Sequence, residues 1–165
     1  MSKHILDKLD FVSGLVPINL GSARSSDVIS LKNWGRCAIV FHKAAGSASE
    51  DPTLTVLQAS SVAPSNAKAL TFTELYVKQG TLSSVGTWTK TTQSAANTYT
   101  NATLSEQECV IVIDIKAEDL DVDNGFDCLQ VTIADAGSVN QLGALFFVPH
   151  EPRYAKDGGI SSIAN

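Results

Sequence analysis

The sequence predicts an all-β protein, an antiparallel β-sandwich of jelly-roll-like architecture with extended N- and C-terminal arms. Its apolar runs are short and rich in β-branched residues, which is typical of strands. Clusters of Gly, Pro, Asn, Asp and Ser separate these runs at the spacing of a sandwich rather than of βαβ units. The 165 residues, 44% of them hydrophobic, are enough for one core. We expect an N-terminal arm (1–13), a sandwich domain (14–149) and a C-terminal tail (150–165).

The first half of the chain begins with Met1–Val12, which is expected to form a short amphipathic helix or an arm. Leu15–Leu20 and Asp27–Leu31 are expected to form an edge strand and its continuation, because Pro17 lacks the amide that an inner strand must donate. Three further segments alternate apolar and polar side chains with a period of two, as strands do. These segments are Arg36–Lys43, Pro52–Ala59 and Phe72–Gln79.

The second half opens with a polar stretch, Thr81–Ser105, in which 12 of 25 residues are Ser or Thr. We expect only a weak strand there, around Gly86–Thr89, inside a long loop. Glu108–Ile115 is the most hydrophobic run and predicts a central strand, followed by a single helical turn within Lys116–Val122. Two more strands complete the set of seven or eight: Phe126–Ala134 and Gln141–Pro149.

The charge pattern excludes some partners. A net charge of −5 disfavours nucleic acids, whose affinity depends on clustered Lys and Arg. No run approaches the roughly 20 apolar residues that span a bilayer, and the start lacks a secretion signal, so no membrane association is expected. Residues 106–135 carry nine acidic residues and one basic residue, against eight and eleven elsewhere. This acidic region favours either oriented docking on a partner or solubility alone.

The sequence offers no catalytic constellation. A Gly-x-Ser-x-Gly nucleophile motif is absent, and His4, His42 and His150 stand alone, without a second histidine at metal-ligand spacing. We therefore expect no enzyme activity, no catalytic residues, no metal site and no cofactor.

The three cysteines are odd in number and lack CxxC spacing. Each lies in an expected strand, which indicates small buried hydrophobic side chains. A disulfide pair or a metal cluster is the alternative. The residues are Cys37, Cys109 and Cys128.

An acidic turn, Glu118–Gly125, contains three alternating aspartates and suggests a calcium loop. The match fails in detail, because counted from Asp119 the sixth position is Asn124 rather than Gly and the twelfth is Gln130 rather than Glu. A looser carboxylate cation site and a solvated acidic turn remain the two alternatives.

Exposed aromatic side chains would suggest a carbohydrate- or receptor-binding module, because sugars stack on aromatic rings. Only Trp88 and Tyr99 share the polar stretch. Trp34 precedes a strand directly and is expected to pack over the end of the sandwich. Carbohydrate or receptor binding is therefore retained as the alternative function.

Four segments carry a resemblance to a known family. They are Ser26–Gly35 (SDVISLKNWG), the strand with Ile39–Phe41, Phe146–Pro149 (FFVP) and Glu151–Tyr154 (EPRY). Together they resemble the capsid decoration, or cement, proteins of tailed bacteriophages, over most of Gly14–Ala155. The resemblance implies a structural protein made in the host cytoplasm and located on the capsid surface of the virion. It further implies binding to the major capsid protein as a homo-oligomer, commonly a trimer, with a dimer as the alternative, and stabilisation of the capsid.

In that role the chain ends would bridge neighbouring capsid subunits. Twelve extended residues reach about 40 Å at roughly 3.3 Å each, and apolar, Arg and Tyr side chains are favoured in interfaces. Frayed, inactive ends are the alternative. The expected capsid-binding residues are Ile5, Leu6, Leu9, Phe11, Arg153, Tyr154, Ile160 and Ile163.

Overall fold

Two antiparallel sheets form the protein, which confirms the predicted all-β sandwich. The computed structural model describes residues 5–47, 50–63, 65–80, 86–100, 107–137 and 140–154. The first sheet, here called the six-stranded sheet, is an unbroken series of six strands. Their spatial order is β1 (Val12–Asn19), β12 (Leu142–Pro152), β4 (Trp34–Lys43), β10 (Glu108–Lys116), β7 (Phe72–Gly80) and β8 (Thr89–Ala96). The second sheet follows the path β2 (Arg24–Ser25), β11 (Cys128–Ile133), β5 (Leu54–Ala59) and β6 (Lys68–Ala69), with β3 (Ile29–Ser30) on β11 and β9 (Thr98–Tyr99) on β5.

The strand pairing is nested, which gives the sandwich its jelly-roll character. The first strand pairs with the last (β1 with β12), then β2 with β11, β4 with β10 and β5 with β6, all antiparallel. This is the order produced when one long antiparallel ribbon rolls up into two sheets. The hairpin β7–β8 is an addition to the ribbon that extends the first sheet beyond β10.

The core lies between the sheets and is built on the pairing of β4 with β10. Ile39 stands opposite Ile113 and Phe41 opposite Ile111, and each is at most 1% exposed. These side chains form one cluster with residues of the second sheet such as Val131. Leu145 and Phe147 on β12 extend the same inward layer. Sheets packed in this way bury alternate residues of every strand, which explains the period of two in the sequence.

The prediction of only a weak strand at Gly86–Thr89 is wrong. An eight-residue strand, β8, runs instead over Thr89–Ala96 and pairs with β7 at the edge of the sheet. Its residues are exposed or half-buried throughout, so no apolar alternation marks it in the sequence. Threonine favours strands through its β-branch, and this propensity is the local signal that the segment contains.

The two ends of the sandwich differ slightly from the expected boundaries. β1 begins at Val12 and β12 ends at Pro152. In the described part of the N-terminal segment, Ile5–Asp7 form a single 3₁₀ turn rather than a longer helix. Leu9 then bridges His150, and the Asp10 amide donates to the Pro149 carbonyl at 2.9 Å. Residues 9–11 thus continue the β1–β12 pairing. β1 is an edge strand, as Pro17 predicted.

All three cysteines are free and buried. This agrees with the prediction that they are small buried hydrophobic side chains. Burial raises the pKa of Cys109 to about 11 and of Cys128 to about 12, and it raises the pKa of Cys37 as well. The thiols are therefore protonated at neutral pH and are weak nucleophiles and metal ligands. Within the described residues, no helix is long and apolar enough to cross a membrane.

The β4–β10 pairing predicts where the fold is most sensitive to truncation. Ile111→Ala should lower the free energy of unfolding by about 2–5 kcal/mol, because it leaves a cavity in a fully buried layer. Ile111→Val removes one methylene from the same site and should cost about 0.5–1.5 kcal/mol. Urea unfolding followed by circular dichroism measures both values. Equal losses for the two variants would contradict the packing described.

Candidate functional site

The face of the six-stranded sheet that points away from the second sheet, here called the outer face, is apolar at its centre. Alternate residues of β4, β10 and β12 point inward and are fully buried, so the residues between them point outward. Antiparallel sandwiches ordinarily place polar residues at such positions. Here the outward residues of the three strands include Ala38, Val40, Val110, Val112, Ala144, Phe146 and Val148.

Strand register aligns these side chains in rows that cross the sheet. The middle row runs Tyr76, Val112, Val40 and Phe146, each directly opposite the next. Tyr76 is 42% and Phe146 40% exposed, while the two valines are half-buried. Phe11 lies beside Val148 in the adjoining row, since Val12 pairs with Phe147 and Leu9 with His150. The result is a continuous apolar stripe across four strands, with Phe11 adjoining it beside β12.

The outer face of the second sheet provides a contrast within the same molecule. Its facing pairs are Thr55 with Thr132 and Leu57 with Gln130, and all four side chains are half-buried. Three of the four are polar, as expected for a solvated sheet. The apolar character is therefore specific to the six-stranded sheet and is not a general consequence of the composition.

Charged residues flank the stripe with opposite signs on β7. Glu74, Tyr76 and Lys78 alternate on the outer face, so the carboxylate lies on one side of the stripe and the ammonium on the other. Glu74 is paired with Lys90 at 2.8 Å, and the Lys78 ammonium lies 5.8 Å from the centre of the Trp88 ring. Both charges remain at the surface, with Glu74 exposed and Lys78 half-buried.

A second charged cluster borders the stripe on the same side as Glu74. Arg36 Nε donates to Asp114 Oδ2 at 3.0 Å, and His150 Nε2 lies 3.1 Å from Asp114 Oδ1. This arrangement joins β4, β10 and β12 across the outer face. The hydrogen bond to Asp114 raises the pKa of Arg36. The cluster satisfies its own charges, so its contribution is to border the apolar area.

The structure brings the expected capsid-binding residues of both ends to one corner of the sandwich. Ile5, Leu6 and Phe11 are 62%, 54% and 57% exposed, whereas Leu9 is half-buried against β12. At the other end of the chain, Tyr154 is 68% exposed. The two chain ends meet because Leu9 bridges His150.

Two other features complete this corner. The backbone amide of Arg153 donates to the Asn33 carbonyl at 2.9 Å and its Nε to the Trp34 carbonyl at 3.2 Å. The chain just before Tyr154 is therefore attached to the start of β4. Ile160 and Ile163 lie outside the described residues.

The aromatic pair expected to bind sugars is not assembled. Tyr99 is only 7% exposed and belongs to the core cluster, whereas Trp88 is 48% exposed. Trp88 instead borders a shallow groove of about 220 Å³ at one corner of the outer face. The groove is lined by His42, Lys78, Gln79, Trp88, Glu108 and Val110 among others. Trp34 is 1% exposed and begins β4 at the end of the sandwich.

The acidic turn folds into two short 3₁₀ segments, Ala117–Asp119 and Val122–Asn124. Asp121 forms an ion pair with Lys68 and accepts from Asn124 Nδ2 at 2.8 and 2.9 Å. These contacts, first of all the one with Lys68, lower the pKa of Asp121. Among the described residues, no group of three or more His, Cys, Asp or Glu side chains is arranged to hold a metal ion.

Comparison with known proteins gives little further information. No family model matches the sequence, and no curated protein matches it. Among solved structures, the chain is similar to the crystal structure of the SPBc2 prophage-derived protein YomS, with a TM-score of 0.49 and 8% identity. The match covers 87% of this chain and 93% of that chain. A similarity with a TM-score below 0.5 carries no conclusion about fold or function.

The contacts of Asp121 predict a pH-dependent contribution to stability. Because its pKa is lowered in the folded state, the stabilisation is present above the unfolded carboxyl pKa of about 3.9 and is lost as the pH falls through the lower folded value. Asp121→Asn should therefore unfold at a lower temperature than the wild type at pH 7. Thermal unfolding monitored from pH 7 to pH 2 should show the two melting temperatures converging in acid. A gap that stays constant with pH would contradict this assignment.

Proposed function

We propose that the chain is a structural protein of a bacteriophage virion that binds the outer surface of the capsid and stabilises it by bridging neighbouring major capsid subunits. The observation that carries this proposal is the corner where the two chain ends meet, with Ile5, Leu6, Phe11 and Tyr154 all more than half exposed. Exposed apolar side chains that cluster in this way mark interaction sites. The resemblance of the sequence to capsid decoration proteins suggests that the partner is the capsid.

The arrangement of the corner favours binding over fraying. Leu9 and Asp10 are held against β12 by a β-bridge and a 2.9 Å backbone hydrogen bond. Part of the ordering cost of a flexible arm has therefore already been met in the free protein, which raises affinity. The residues that precede Leu9 then extend the contact beyond the edge of the sandwich.

The proposed role is not catalytic. The thiols are buried and protonated, and Asp121 is engaged by Lys68 and Asn124. An inert, stiff block suits a mechanical task. A homo-oligomer that contacts several capsid subunits at once keeps each weak contact closed through a high effective concentration. Because it binds only the assembled capsid, it shifts the equilibrium toward the intact particle.

A comparison of particles tests this proposal. Virions assembled without the protein should release their genome at a temperature several degrees below that of complete virions, and adding the purified wild-type chain should restore the higher temperature. Genome release is measured with a DNA-binding dye during heating. Equal release temperatures with and without the protein would reject the proposal.

Variants link the effect to the corner. The triple variant Ile5→Ser, Leu6→Ser and Phe11→Ser should fold normally, because these side chains are exposed, but should fail to sediment with particles. Leu57→Ser, on the outer face of the second sheet, is the matched control and should bind like the wild type. If both proteins bind equally, the corner is not the contact.

Saccharide binding is the second candidate function, and the groove at Trp88 favours it. A half-exposed indole ring beside His42, Lys78 and Glu108 offers a stacking surface together with polar groups for hydroxyls.

Glycan-array binding tests the second candidate. Trp88→Ala should abolish any signal, since it removes the stacking surface, whereas Tyr154→Ala removes a more exposed aromatic side chain outside the groove and should leave the signal unchanged. No binding by the wild type, or equal losses for both variants, would exclude saccharide binding at this groove.

A further inference from the structure

We infer that the outer face of the six-stranded sheet is a self-association surface, on which a second copy of this chain packs face to face about a two-fold axis. The surface is the row Tyr76, Val112, Val40 and Phe146 and the charges that border it, and it adjoins, at Phe11, the corner proposed to contact the capsid. The inference concerns the free protein and does not depend on the capsid proposal.

The size of the face suits a stable dimer. Each of its six strands has at least eight residues. With about 4.8 Å between strands and about 3.3 Å per residue, the face measures roughly 750 Å². A standard stable interface covers about 800 Å² on each partner.

The chemistry of the stripe suits packing against another sheet. The facing valines Val40 and Val112 fill its centre, and Tyr76 and Phe146 supply larger side chains at either side. Sheets pack face to face through layers of this kind, about 10 Å apart. A second sheet would bury the stripe in the same way that the second sheet of the sandwich buries the inner face.

The charges that border the stripe suit a second copy of the same chain. On β7, Glu74 and Lys78 lie on opposite sides of Tyr76, at equal distances along the strand. A two-fold axis along the middle row, Tyr76 to Phe146, turns each strand end for end over its counterpart. Lys78 of each copy then faces Glu74 of the other, so the surface is complementary to itself.

The remaining groups on the face are compatible with this arrangement. The same rotation sets Val110 of each copy over Asp114 of the other, whose carboxylate is already paired with Arg36 and His150 in its own copy. His42 then faces Ala38. Lys90, opposite Tyr76 in the middle row, faces Lys90 of the other copy, and each is paired with Glu74 of its own chain. Interfaces related by a two-fold axis use one patch twice, as this one does. A pair of this kind differs from the trimer that the family resemblance implies.

Analytical ultracentrifugation of the purified full chain tests the inference. The wild type should sediment as a dimer, twice the 17.5 kDa of one chain, at micromolar concentration. Val112→Lys places a charge at the centre of the stripe and should weaken association about 100-fold. Thr132→Lys places the same charge on the outer face of the second sheet, also on an inner strand, and should not change it. A monomeric or trimeric wild type, or equal behaviour of the two variants, would overturn the inference.

Charge exchange tests the two-fold arrangement and uses only surface positions, so folding is preserved. Glu74→Lys and Lys78→Glu should each weaken self-association about 10-fold at low salt, because like charges then face each other twice. Mixing these two variants should restore association as a heterodimer, and the double variant should restore the homodimer. If the mixture associates no better than either variant alone, the proposed symmetry is wrong.

Both assays use the purified chain in the absence of particles. Loss of the dimer would therefore refute this inference without affecting the capsid test. Conversely, wild-type dimers that fail to stabilise virions would refute the capsid proposal and leave the self-association surface in place.

Discussion

The fold depends on the pairing of β4 with β10, two adjacent strands whose inner faces are apolar and whose outer faces are apolar at the centre. Eight consecutive residue pairs join them in one unbroken register. On the inner side this register stacks Ile39 on Ile113 and Phe41 on Ile111 in the core, and on the outer side it stacks Val40 on Val112. A shift of the register by one residue would exchange the two faces. The same alternation thus sets both the core and the surface that the molecule presents.

The outer face is an apolar area that stays exposed or half-buried among the described residues. A sandwich of this size can bury one face of each sheet, and exposing a second apolar face carries a cost in solubility. The second sheet avoids that cost with threonine and glutamine at its outward positions. The six-stranded sheet instead has valines and aromatic side chains at the centre of its outer face. The opposite charges of Glu74 and Lys78 border this apolar stripe on its two sides. The self-association that we propose would bury this stripe.

Much of this fold follows from local sequence pattern. Strong alternation identified the strands around Cys37, Ile111 and Phe147, and Pro17 marked the edge, because each feature acts within a single strand. The Thr-rich edge strand β8 was missed because neither of its faces is buried. Tyr99 could not be recognised as a core residue, since only long-range pairing of β9 with β5 places it inside.

The apolar outer face was also not predicted from the sequence, although Val110 and Val112 occupy its alternate positions in Glu108–Ile115. The run Cys109–Ile113, which is apolar at every position, predicts burial on both sides, but whether the second side is covered by the same chain depends on the tertiary arrangement. Electron cryo-microscopy of complete virions tests the account most directly. It should show paired copies of the chain with their six-stranded sheets packed face to face and residues 5–11 in contact with the capsid. Single copies whose six-stranded sheets face solvent, or particles without the chain, would contradict it.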